Sequence, residues 1–138
     1  MLTLTHHIIA QEFMAERVTD TRAQAAFRVC DKLRRSLSVL TGVVGFRSVL
    51  ARALVLGRAE APWLAELQLG ADGSLELPIE LESRLGQEEA ARGGVVLIGS
   101  LLGLLITFVG KTLTLRLVQD VWPKAAFGEP ENELKDQS

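Results

Sequence analysis

One cysteine, no tyrosine and four prolines are all that 138 residues hold of three residue types that often shape small folds. The lone Cys30 excludes an internal disulfide and any zinc site built on paired cysteines, and it fits a reducing compartment. Aromatic side chains make up 5% of the chain against an apolar share of 48%. The core therefore has to be made mostly of Ala, Leu and Val, which favours closely packed helices. A basic leader is missing as well. The opening MLTLTHHIIAQEF has no cationic n-region and its apolar run is short and interrupted, so no secretory signal is expected.

Reactive constellations are equally scarce. His6 and His7 are adjacent, so they diverge on a helix and face opposite sides of a strand, and cannot chelate one metal as an i, i+4 pair would. Cys30 falls between Ala26 and Leu33 on an apolar face, which is the setting of a small buried hydrophobe and not of a nucleophile. Glu80, Glu82, Glu88 and Glu89 lack the spacing of a calcium loop. GLLITFVGKT ends like a phosphate-binding loop, but Leu105 stands where the opening glycine is required. Neither a catalytic residue nor a cofactor, a metal or a small-molecule substrate is expected.

The net charge of −2 hides a strong segregation. Residues 17–58 carry Arg17, Arg22, Arg28, Lys32, Arg34, Arg35, Arg47, Arg52 and Arg58 against Asp20 and Asp31. Residues 59–92 reverse the sign, with Arg84 and Arg92 set against eight acids. A basic block followed by an acidic one marks either a partner surface or internal pairing.

TDTRAQAAFRVCDKLRRSLSVLTG reads as a helix, with Thr21 and Gln24 at capping-box spacing and Gly42 as a stop. Ala26, Cys30, Leu33, Leu37 and Leu40 share its apolar face, while Arg28, Lys32 and Arg35, with Arg34 beside them, form a basic back. GFRSVLARALVLGRAEA follows as a second basic amphipathic helix, with Phe46, Val49, Leu50, Ala53, Leu54 and Leu56 inward, and the two can fold back on each other through Gly42–Gly45. Pro62 then opens a short turn carrying Trp63 and Leu64. Leucines alternating on both sides of Asp72-Gly73 predict a short β-hairpin at about 66–77. An acidic helical connector follows, and from residue 123 onward the chain reads as an acidic disordered tail.

The most distinctive stretch is GGVVLIGSLLGLLITFVGK, whose residues 93–110 carry no charge. Eleven of the fifteen residues from Val95 to Val109 are Val, Leu, Ile or Phe, so a helix there is apolar all round and needs apolar neighbours on every side. As a membrane span, residues 93–110 reach about 27 Å at ~1.5 Å per residue, just enough with Lys111 snorkelling. As a soluble core helix running from about 94 to 122, the segment ends in an amphipathic half suited to an oligomer. As strands, GGVVLIG and TLTLRLV would join the hairpin in a small α+β sheet.

These readings predict a mainly α, small helical bundle, with small α+β as the alternative. Its parts are an amphipathic helical domain over 1–92, the apolar helix over 93–122 and the tail over 123–138. The function expected is non-enzymatic: a membrane-associated protein of the inner or plasma membrane, anchored by the apolar helix with its GxxxG packing face, its N-terminal domain cytoplasmic, acting in assembly or protein interaction. The alternative is a soluble cytoplasmic adaptor or scaffold subunit whose apolar helix is buried in a homo-oligomer or against a partner. Gly99 and Gly103 at GxxxG spacing, with Leu102 and Ile106, form the expected helix-packing face. Arg28, Lys32, Arg34 and Arg35 form the expected basic face, suited to an anionic membrane surface or an acidic protein. A pI of about 5.7 and the lack of interleaved aromatics argue against nucleic acid.

Overall fold

A computed structural model describes residues 2–15 and 21–122, so the tail at 123–138 lies outside the described residues. The architecture is mainly α. Its helices are α1 (Leu2–Ala15), α2 (Arg22–Gly57), α3 (Ile79–Leu85), α4 (Gln87–Val109) and α5 (Lys111–Val121), with a 3₁₀ turn at Pro62–Glu66.

α2 starts where the cap places it: the Thr21 hydroxyl accepts from the Gln24 backbone N–H at 3.1 Å. The reciprocal half of the capping box is replaced, because the Gln24 side chain donates to Glu82 at 3.3 Å and ties α2 to α3. Inside α2, Gly42 takes φ 80°, ψ 160°, a region open essentially to glycine alone. The axis turns sharply there. A Cβ on Gly73 would stand 3.2 Å from Phe46 Cδ2 and 3.5 Å from Arg34 Cδ, although a straight helix would separate residues twelve apart by about 18 Å.

α4 packs against α2 more extensively than any other pair of elements does. Two contacts fix their relation: a Cβ on Gly94 would meet Ala26 Cβ at 2.7 Å, and one on Gly57 would meet Val96 Cγ1 at 3.3 Å. Both ends of α2 therefore meet the same part of α4. From there α4 runs alongside α2 towards its Gly42 bend, since about sixteen residues, or ~24 Å, separate each contact from its glycine. Gly110 (φ 93°, ψ 157°) then breaks the helix, and α5 returns along the bundle until Trp122 reaches α1. The two glycine bends thus lie at one end of the molecule.

Several expectations are corrected. The single helix expected from about 94 to 122 is two helices, because Gly110 interrupts the helical backbone with nearly the same dihedrals that kink α2 at Gly42; the first of them also begins earlier, at Gln87. The hairpin at 66–77 is reduced to one antiparallel bridge between Leu69 and Leu75, and no strand forms among the described residues. A two-stranded ribbon is marginal alone, and here Leu67 and Leu75 are drawn into the helical core instead. The Asp72-Gly73 turn itself is formed, with Ser74 N–H donating to Asp72 Oδ1 at 3.0 Å. Leu40 and Leu56, expected inward, are exposed.

The core joins all the helices. Ala26, Cys30, Leu33, Leu37, Phe46, Leu50 and Ala53 of α2 pack with Leu97, Ile98, Leu101, Leu102 and Leu105 of α4. Gly93 is needed for close approach, since a Cβ there would run into the buried Trp63 indole.

Candidate interaction surface

The described helices leave α4 less bare than its composition suggests. Of residues 93–110 only Thr107 and Phe108 are exposed, while Gly99, Gly103 and Ile106 are half-buried and Leu102 is fully buried. The predicted packing face is thereby divided. Leu102 belongs to the protein's own core, whereas a Cβ on Gly103 would have nothing within 4 Å.

Apolar exposure is concentrated instead where α2 bends. Val39 is 84% exposed and Val44 78%, with Leu40 and Val43 beside them. Phe108, 65% exposed, lies at the same end on the last turn of α4. Met14 of α1 and Val55 and Leu56 near the end of α2 are exposed away from this cluster. The sequence carried a signal for it: the run SLSVLTGVVGF at 36–46 has no charge, and any sharp bend at Gly42 leaves valines on its convex side.

Charge follows the same division. The segments 32–59 and 90–119, which build this end and the helices rising from it, contain no acidic residue at all. They contain Arg47 five residues past Gly42, and Lys111 and Arg116 one and six residues past Gly110. Arg47 donates to the Gly70 carbonyl at 2.9 Å, so the Gly70–Ser74 turn leans on this end from the side and places Asp72 near Arg34.

The predicted basic face is engaged within the chain. Glu12 of α1, 2% exposed, is met by Lys32 Nζ at 2.6 Å, Arg28 Nε at 3.2 Å and the Trp122 indole N–H at 2.9 Å. Arg28 also donates to the Glu12 carbonyl at 2.8 Å. Burial pushes the Glu12 carboxyl up, but Lys32, Trp122 and Arg28 together outweigh it and hold the group below the usual carboxylate range. Asp31 takes Arg34 and Arg35, each at 2.7 Å. These four cations therefore pair with Glu12 and Asp31, neither of which lies in the 59–92 acidic block; within that block Arg84 pairs with Glu66 and Arg92 with Glu89.

Other reactive groups are dispersed. His6 and His7 are exposed on α1. Burial pushes the Cys30 thiol up to about 12, with Asp31 adding to the effect. Among the described residues, no three His, Cys, Asp or Glu side chains are grouped to hold a metal ion. A cleft of about 1110 Å³ is lined by His6, Arg22, Glu60, Glu88, Glu89 and Arg92 among others, a mixture of both signs that includes the Arg92–Glu89 pair.

Among the described residues, two helices, α2 and α4, are long and apolar enough to cross a membrane by length and composition. Set against protein-family models, curated proteins and solved structures, the chain matches none of them.

Proposed function

We propose that this chain is a non-enzymatic, membrane-associated helical protein that acts in assembly or protein interaction. In this reading it is held at the inner or plasma membrane with its N-terminal domain in the cytoplasm. The supporting observation is the coincidence at one end of exposed Val39, Val44 and Phe108 with chain segments that carry cations and no acid. Apolar surface favours leaving water, and a cationic surround favours the negative potential of a cytoplasmic leaflet. Expression without detergent, followed by separation of membranes from soluble protein, tests it. Recovery with the membranes is the expected result, and recovery as a soluble monomer refutes the proposal.

A second reading rests on the half-buried strip of α4 around Gly99 and Gly103, where Gly103 has open space above it. There a soluble adaptor or scaffold would bring two copies, or a partner helix, into close contact. A discrete soluble oligomer in the same fractionation favours it.

A further inference from the structure

We infer that the end bearing Gly42 and Gly110 enters an anionic lipid leaflet shallowly, and that the protein remains on one face of the bilayer with α4 as its internal core helix. This inference rests on the membrane association proposed above and specifies its mode. A length of eighteen uncharged residues admits a span, but the tertiary packing opposes it. α4 is enclosed chiefly by α2, so crossing the bilayer as a folded unit would drag Arg34, Arg35, Arg47 and Arg52 into the hydrocarbon, and α5 would bring Arg116.

The positions of the cations set a depth. Arg47 lies five residues beyond Gly42 and Arg116 six beyond Gly110, or about 7.5 and 9 Å along their helices at ~1.5 Å per residue. That matches the ~5–10 Å to which interfacial helices bury their apolar faces. Val39, Leu40, Val43, Val44 and Phe108 then occupy the acyl boundary, while both arginines stand at headgroup level. Lys111, next to the bend, is exposed and long enough to reach back to phosphate oxygens. Segments 32–59 and 90–119 offer no carboxylate to repel an anionic headgroup, and the acid that the flanking turn brings here, Asp72, accepts from Ser74 and stands near Arg34. A protein partner with an apolar, acidic-rimmed socket is the competing occupant, and it is an outcome of the test.

Flotation with phosphatidylcholine vesicles, with and without phosphatidylglycerol, reads the lipid preference of the full chain. Binding is expected only with the anionic lipid and is expected to weaken in high salt. Val39→Ser and Val44→Ser change side chains that are already exposed, so folding is retained and each should weaken binding by about tenfold or more. Arg47→Gln with Lys111→Gln should weaken it by about 25-fold, taking about fivefold per lost cation. Val55→Ser, away from this end, should leave binding unchanged.

Sidedness is read by labelling Ala71→Cys and Ser138→Cys with a membrane-impermeant maleimide in sealed membranes from expressing cells. Labelling of both from one side is expected. Labelling from opposite sides establishes a span and overturns the shallow mode while leaving membrane association intact. Failure to bind either vesicle overturns both proposals, as does capture of a soluble protein that the two valine substitutions abolish.

Discussion

Glu12→Gln removes the charge that holds three helices together. Glu12 sits on α1, its cations Arg28 and Lys32 on α2, and Trp122 directly after α5. The substitution preserves shape and keeps one oxygen for the indole N–H, but its amide nitrogen takes the place of the oxygen that accepts from Arg28, so the charge and one acceptor are lost together. Hydrogen bonds to charged groups contribute about 1.5–3 kcal/mol each. Lys32, however, is 41% exposed and resolvates readily, so its share is small. A loss of about 2 kcal/mol is expected near neutral pH. At about 3–5 °C per kcal/mol for a domain of this size, the midpoint of a circular-dichroism melt in mild detergent should fall by about 6–10 °C. The pH dependence is the sharper test. The folded carboxyl titrates below its ordinary value of 4.5, so its contribution is complete above that value and disappears as pH falls through the folded pKa. The variant and the parent should therefore converge in acid. A difference that persists undiminished through the acid range refutes the idea that the ionised carboxylate clamps the bundle.

Four further outcomes are expected. Gly42→Ala and Gly110→Ala force a Cβ into backbone regions that only glycine occupies comfortably, and each should destabilise by about 1–3 kcal/mol in a denaturant titration. Gly93→Ala drives a methyl into the Trp63 ring and should destabilise by about 1–3 kcal/mol less a helix-propensity gain of up to ~1 kcal/mol, with a shift in Trp fluorescence. Gly103→Leu has space around it and should leave the melt intact; in cross-linking it should reduce self-association if the Gly99–Gly103 strip is a contact, and unchanged association removes that strip from consideration. Cys30 should resist a thiol reagent in the native state and react only on unfolding, because its thiolate is suppressed by burial.

Local chemistry was legible in the chain itself: the Thr21 cap, the turn at Pro62, the bend at Asp72-Gly73, and the inward faces built on Ala26, Leu33, Leu37, Leu50 and Ala53. Each depends on neighbours within a few residues, and periodicity reports those directly. Composition likewise fixed the class, since a chain poor in aromatics and rich in Ala, Leu and Val packs most readily as helices.

What tertiary structure decided was which apolar surface stays outside. By composition alone the uncharged stretch at 93–110 is the segment most in need of external cover, yet α2 wraps much of it, and the valines flanking Gly42 are left bare instead. Periodicity could not reveal this, because it assigns a residue to a face of its own helix and says nothing about which faces meet. The basic stripe was redistributed for the same reason. Arg28 and Lys32 were visible as a cationic face, but the carboxylate that neutralises them stands on α1, and only the folding of α1 and α5 onto α2 brings Glu12 and Trp122 together across 110 residues of sequence.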